Sequence, residues 1–218
     1  MTCSDAKTSG WGVAPALTAP LVRSSAMPNL ILASGSAFKR QLMARLDVPF
    51  EAIDADIDER AHHHTAPLEL ARALARAKAL ALRSTHPEAA ILGCDQVISL
   101  GSEVLHKPGD HARACAQLRR LQGRTHDLIC AICLSMPTGE LFEAHAHYLM
   151  DMRPLSDVQI ERYVSQDEPF GCAGSYKIEQ NGVRLFRAMR GDDYTAIVGL
   201  PLTRVMDVLE DAGLLPTL

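Results

Sequence analysis

The sequence predicts an α/β fold built on a mixed sheet. Three observations lead there. Apolar runs of strand length alternate with stretches of helical period, no segment repeats another, and two pairs of runs lie close enough in the chain to form hairpins that interrupt a parallel alternation.

The elements follow in order. A strand is expected at 29–33. A helix follows to about 46, with Phe38, Leu42, Met43 and Leu46 at spacings of three and four as its apolar stripe. A short strand, Phe50 to Ile53, leads into the acidic loop Asp54 to Arg60, and a long Ala- and Leu-rich helix opens at Pro67 and runs to about Arg83. Ala89 to Gly93 reads as a buried strand that ends at Cys94-Asp95, and a short hairpin turns at Gly101. A helix from about Asp110 to Leu121 is stopped by Gly123. Thr125 to Met136 and Leu141 to Asp151 form a long hairpin around Pro137-Thr138-Gly139. Leu155 to Ser165 is helical, Val183 to Met189 and Tyr194 to Val198 are strands, and Leu202 to Ala212 is a closing helix after Gly199-Leu200-Pro201.

With 218 residues, 47% of them hydrophobic, the chain can bury one substantial core or two small lobes sharing a cleft. Twenty-two basic against 26 acidic residues leave a net charge of −4, so no long-range field favours nucleic acid or an acidic membrane. No apolar run approaches the roughly 18 to 20 residues that span a bilayer. Residues 1–26 lack the charged start, apolar core and cleavage site of a secretory signal, and Met27-Pro28 reads as an alternative start. Six scattered cysteines in a chain of this size argue for reduced thiols and a cytoplasmic location. Cys130 and Cys133 have C-x-x-C spacing inside a strand-like run and read as buried packing. His62-His63-His64 reads as a solvated loop before Pro67.

Polar residues just past strands are the ones to weigh in an α/β sheet. Ser34-Gly35-Ser36 ends the first apolar run, and Lys39 and Arg40 begin the next helix, where its dipole disfavours cations; a pocket for an anion, hence a phosphorylated ligand, would explain both. Ordinary N-capping needs the same serines. No G-x-x-x-x-G-K-[ST] occurs, so this is not a P-loop. Asp95, following ILGC, would be a partly desolvated carboxylate, able to ligate a divalent cation or take a proton from water, or else to cap a turn. Asp58 and Glu59 offer oxygen ligands for Mg²⁺, or are simply loop acids. Lys78, beside the apolar face of its helix, either snorkels or points into a cleft; Lys107, pinned by Pro108, is a further point charge. The fourth place is Gly174-Ser175-Tyr176-Lys177-Ile178-Glu179.

Taken together, LILASGSAFKR, DIDE, the RAKAL helix, LGCDQV, HKP, CAGSYKIE and DDYTAIVGLPL resemble the Maf-like nucleotide pyrophosphatases, specifically the YceF type that acts on 7-methyl-GTP. The likeness covers nearly all of 27–215; residues 27–218 would then be a single domain, with residues 1–26 a disordered extension. It implies a Maf/inosine-triphosphatase-like fold, an elongated two-lobed unit with a central mixed sheet and a cleft. It also implies hydrolysis between the α- and β-phosphates of a nucleoside triphosphate with a divalent metal, Mg²⁺ or Mn²⁺, and allows a homodimer. In the family's S-x-S-x-x-x-R motif the matching residues are Ser34, Ser36 and Arg40, expected on the phosphates; the proton acceptor falls on Asp95.

The family's substrate-selecting positions fall on Phe38, Gln96 and Glu179. An aromatic residue and a glutamate suit a cationic methylated guanine, one by stacking and cation–π attraction, the other by accepting from the guanine edge. Arginine and glutamine at the first and last positions mark the dTTP and UTP type. The chain departs from the pattern in Gly35, in Ala37 where proline is common, and in phenylalanine where the 7-methyl-GTP type has tryptophan.

The expected mechanism has Asp95 and a metal shared with Glu59 activating water, while Lys39, Arg40, Lys78 and Lys107 neutralise phosphate charge. An aspartyl-phosphate phosphatase, a dTTP or UTP pyrophosphatase and a nucleotide-sensing regulator of division are the rival readings.

Overall fold

The computed structural model describes residues 29–62 and 66–215. The expectations for residues 1–26, for Met27-Pro28 and for His63 and His64 lie outside the described residues. Among those described, no helix is long and apolar enough to cross a membrane.

The chain runs β1 (Leu30–Ala33), α1 (Ala37–Met43), β2 (Phe50–Ile53), α2 (Pro67–Ala81), β3 (Ala90–Leu100), β4 (Glu103–Leu105), α3 (His111–Leu121), β5 (Thr125–Ser135), β6 (Leu141–Met152), α4 (Asp157–Asp167), β7 (Phe186–Arg190), α5 (Thr195–Val198) and α6 (Leu202–Asp211). The seven strands form one mixed sheet in the order β2-β1-β3-β5-β6-β7, with β4 paired to β3 off that path. β1 is parallel to both β2 and β3; the remaining pairs are antiparallel.

Three expected elements differ. The strand expected to end at Asp95 continues to Leu100, because β5 pairs with it from Ile91 to Ser99. What stops is its other neighbour: β1 pairs with Ala90–Gly93, β4 only with Ile98–Leu100, and Cys94–Val97 lie between the two registers. The site expected past a strand end is therefore a split in the sheet beside a continuous strand. Tyr194 to Val198, expected as a strand, holds the short helix α5. Asp193 accepts from the amide of Thr195 at 3.0 Å and from the amide and hydroxyl of Thr203 at 2.9 and 2.7 Å, so a buried carboxylate winds the chain where side-chain alternation suggested extension. Val183 to Leu185, expected to begin a strand, belong to a 3₁₀ turn over Asn181–Leu185 that precedes β7.

Each face of the sheet has its own core. Ile91, Val97, Ile129 and Cys133 meet Leu70, Ala71, Leu74, Ala75 and Ala79 of α2. On the opposite face Leu92, Cys94, Ile98 and Cys130 meet α1 and α3 to α6 through residues such as Leu42, Leu118, Ile160, Ala196 and Val205. The two cysteines of the C-x-x-C spacing thus pack on opposite faces, as alternation along a strand requires. The alanine face of α2 lets it press unusually close to the sheet: a Cβ on Gly93 would stand 2.1 Å from the Ala75 carbonyl oxygen and 2.6 Å from the Ala79 nitrogen. That close approach carries Lys78, next to Ala79, to the central strand.

Candidate active site

The turn after β1 is knotted internally. Ser34 Oγ accepts from the Ser36 amide at 3.2 Å, Ser36 Oγ caps α1 by accepting from the Lys39 amide at 3.4 Å, and the Gly35 amide donates to Asp54 Oδ1 at 3.1 Å. Glycine leaves room for the Asp54 carboxylate, which a Cβ would approach to 2.7 Å. These three amides are spent on the protein, so the expected backbone cradle for an anion is largely occupied. The serine hydroxyls keep their protons to donate, and Arg40 lies across the turn, its Nη1 donating to the Gly35 carbonyl at 3.2 Å.

Lys39, which a bound anion was expected to explain, finds its partner inside the protein. Its Nζ donates to the Cys94 carbonyl at 2.9 Å, in the split of the sheet. Burial works against its charge, but the sulfur of Cys94 and the carboxylate of Asp95 outweigh that and hold its pKa above the ordinary value.

From the other face, Lys78 Nζ donates to Asp95 Oδ1 at 2.5 Å and to Glu59 Oε1 at 2.8 Å. Lys107 Nζ stands 4.0 Å from Glu59 Oε2. Burial opposes the charge of Lys78, yet Asp95 and then Glu59 raise its pKa well above the usual lysine range. Burial likewise opposes ionisation of Glu59, and the hydrogen bond and charge of Lys78, with Lys107 and Lys39 behind it, hold it below the usual carboxylate range. Lys39, Glu59, Lys78, Asp95 and Lys107 therefore share one locality. Unit charges about 4 Å apart in a partly wet site interact by about 4 kcal/mol, so the charges of the cluster are strongly coupled.

Phe38 and Glu179 come together as well. They line a groove of about 340 Å³ with Gln41, Leu42, Arg45, Gln180 and Val198. Phe38, Gln41, Leu42 and Arg45 stand at i, i+3, i+4 and i+7, one face of the helix and the turn that continues it. That spacing is legible in the sequence and would have found Arg45, which was missed, as was Asp54. The adjacent residue Lys39 reaches the charged cluster, so this segment joins groove and cluster.

The GSYKIE segment is mostly scaffolding. Ser175 donates to Gln117 at 2.7 Å, Tyr176 Oη lies 3.1 Å from His126 Nε2, and Lys177 Nζ donates to the Asp167 carbonyl at 2.7 Å; Glu179 is the member that faces the groove. Gln96 points away from Asp95, its amide donating to the Ala196 and Ile197 carbonyls at 2.7 and 3.1 Å, which fixes α5 and with it Val198 of the groove. A larger apolar cavity of about 430 Å³, lined by Leu30, Val48, Pro49, Phe50 and Leu214, lies at the starting ends of β1 and β2, away from the charged cluster.

A family model described as Maf-like protein matches residues 29–212, which include every element that builds this site. The chain belongs to the Maf-like family. Among relatives of this Maf-like protein, a 7-methyl-GTP pyrophosphatase of Pseudomonas putida is 43% identical over 190 residues, covering 87% of this chain and 99% of that one. One of the same name from Methylobacillus flagellatus is 43% identical over 188 residues, covering 86% and 98%. Among solved structures, the Ham1 protein of Staphylococcus aureus aligns over 57% of this chain and 71% of its own at 15% identity, with a TM-score of 0.44.

Proposed function

We propose that this Maf-like protein is a nucleoside triphosphate pyrophosphatase that cleaves between the α- and β-phosphates and prefers 7-methyl-GTP. One observation carries the reading: Phe38 and Glu179 face a single groove. An aromatic face beside a carboxylate suits a flat base bearing positive charge, with a cation–π contribution of about 0.5 to 2 kcal/mol. The names of the relatives point the same way.

With the base in the groove, the triphosphate runs along α1 into the split of the sheet. Ser34, Ser36 and Arg40 meet its oxygens from the turn, Lys39 from within the split, Lys78 and Lys107 from the far side. These local cations overcome a net charge of −4 because they act at contact distance. Asp95 takes the proton of the attacking water. With Oδ1 held by Lys78, its other oxygen is the one that serves. Gln96 acts on substrate choice through α5 and Val198 rather than by touching the base.

The carboxylates fit a hard divalent cation such as Mg²⁺ or Mn²⁺: both donors are oxygens, and a shared ammonium draws them to one point. Glu59 would hold it by the oxygen that Lys78 does not engage, and Asp95 by Oδ1, which has a second lone pair beside the one given to Lys78, leaving the other Asp95 oxygen for the water. When bound, such an ion neutralises charge developing on the phosphates.

The test is side-by-side turnover of 7-methyl-GTP, GTP, dTTP, UTP and CTP by the purified chain with Mg²⁺ or Mn²⁺, with products identified. The expected result is fastest release of pyrophosphate and monophosphate from 7-methyl-GTP. A pyrimidine triphosphate as best substrate overturns the reading of Phe38 and Glu179; free phosphate with a trapped phosphoenzyme overturns the reaction itself.

A further inference from the structure

On the face of the sheet opposite α2, helices α3 and α4 lie side by side and bring three ligand-type side chains to one point. His111 and Cys115 stand one turn apart on α3, so they share a face, and Glu161 reaches them from α4. One donor atom from each lies within 4.8 Å of the other two. His111 Nδ1 is 3.7 Å from Cys115 Sγ, and His111 Nε2 is 3.6 Å from Glu161 Oε2. In a tetrahedral zinc site, with Zn–S about 2.3 Å and Zn–N or Zn–O about 2.1 Å, neighbouring ligand atoms stand about 3.4 to 3.6 Å apart. Those two distances use opposite nitrogens of the His111 ring; with a single nitrogen as ligand the three donor atoms lie within 4.8 Å of one another, so side-chain rotations would draw them in by about 1 Å to close on an ion.

We propose that His111, Cys115 and Glu161 form a binding site for a borderline-soft divalent metal, zinc in the first instance, with water as the fourth ligand. A nitrogen, sulfur and oxygen donor set selects such a metal, whereas the carboxylates at Glu59 and Asp95 select a hard one. On binding, the Cys115 thiol releases its proton to solvent and the thiolate takes the metal, with no change of oxidation state. The surroundings support ligation. Arg119 Nη2 donates to Glu161 Oε1 at 2.9 Å and so orients the carboxylate while leaving Oε2 toward the site, and Ser165 Oγ lies 3.2 Å from His111 Nε2 as an outer partner. Cys115 is buried at the floor, while the side chains of His111 and Glu161 are 43% and 47% exposed, which gives an ion a way in.

The site would clamp α3 to α4. Helix α3 also carries Gln117, which donates to the His106 carbonyl at 2.7 Å and accepts from Ser175 at 2.7 Å. It thereby braces the residue before Lys107 and the segment that presents Glu179, so the role is structural support of the nucleotide site.

The test strips the purified full-length chain of metal with a chelator and titrates Co²⁺ as the probe. The expected result is a near-ultraviolet thiolate-to-cobalt band that saturates at one equivalent and that Zn²⁺ abolishes by competition. Cys115→Ser should lose the band while its Mg²⁺-supported turnover equals that of the metal-stripped unaltered chain, which also shows that the variant is folded; Cys115→Ala serves as a second variant. His111→Ala and Glu161→Gln should weaken Zn²⁺ binding at least about tenfold. Absence of the thiolate band in the unaltered protein, its survival in both Cys115 variants, or unchanged Zn²⁺ affinity in both His111→Ala and Glu161→Gln overturns the proposal.

Discussion

The ammonium of Lys78 lies 2.5 Å from Oδ1 of Asp95, although one residue sits on the helix covering the sheet and the other in the middle of its central strand. Their side chains are 14% and 11% exposed, so each is the main neutraliser of the other's charge in a place that water reaches poorly.

Removing either member has distinct consequences. Asp95→Asn keeps volume and an acceptor for Lys78 but removes the base, so turnover should fall at least about a hundredfold with little change in unfolding midpoint. Lys78→Met leaves the Asp95 carboxylate buried without a partner and should cost about 2 to 3 kcal/mol of stability as well as activity, the exposure of Glu59 moderating the loss. In the double variant much of that stability should return, because the orphaned charge is gone while activity stays lost. Denaturant titration of all four proteins measures the coupling, and simple additivity would deny it.

His126 should make the protein acid-sensitive. It is 1% exposed, its Nε2 lies 3.1 Å from Tyr176 Oη, and its Nδ1 has no hydrogen-bond partner among the described residues. Burial, offset in part by Asp127, pushes its pKa down to about 4, below the unfolded value of about 6.5. The folded state therefore binds fewer protons between those values. The stabilisation is complete above about pH 6.5 and is lost as pH falls toward 4, a change of about 3 kcal/mol. His126→Gln should flatten that part of the stability profile in urea unfolding at pH 7 and pH 4.5; an unaltered slope would assign the sensitivity elsewhere. Because Tyr176 belongs to the segment that carries Glu179, KM for the nucleotide should rise over the same interval.

Gly93 should tolerate nothing larger. In Gly93→Ala the new methyl meets backbone of α2 at 2.1 and 2.6 Å, and backbone cannot rotate aside. The helix must lift, withdrawing Lys78 from Asp95, so stability should fall by about 1 to 3 kcal/mol and kcat should fall with it. Gly35→Ala meets the Asp54 carboxylate, which can swing away, and should be milder in stability. Equal losses in the two variants, measured by thermal unfolding, would refute the distinction.

Base preference should move with the groove. Glu179→Gln removes the charge that favours a cationic base and should lower kcat/KM for 7-methyl-GTP about tenfold and for GTP by less, since both purines lose a charged acceptor but only the methylated one loses a counter-charge. Phe38→Trp, with a larger π face on a residue 38% exposed, should lower KM for 7-methyl-GTP about two- to fivefold. Initial rates with both substrates decide it, and parallel changes for the two nucleotides would remove these residues from base selection.

Strand and helix order could be read from hydrophobic period alone, since a buried face imposes its own repeat on the chain: β1, α1, β2, α2 and the β5–β6 hairpin fall where alternation and capping residues put them. Candidates for the site could be picked out too, because Ser34, Lys39, Arg40, Asp95 and Glu179 stand in short ordered motifs whose residue types carry their own meaning. What eluded the sequence was long-range. Periodicity says nothing about where a neighbouring strand stops, so the split beside Cys94–Val97 followed only from the registers of β1 and β4. Nor does it say that Asp193 would bind Thr195 and Thr203 and coil a stretch with strand-like alternation.

By itself, then, the sequence determined the fold class, the family and the kinds of group available for chemistry, because those rest on local spacing. The tertiary structure decided which of those groups meet. Lys78 could have snorkelled into solvent; the bare α-carbon of Gly93 and the alanine face of α2 bring it within hydrogen-bond reach of Asp95, and the end of β1 opens the space beside them. Contacts between residues distant in the chain depend on packing distances, which a one-dimensional pattern does not contain.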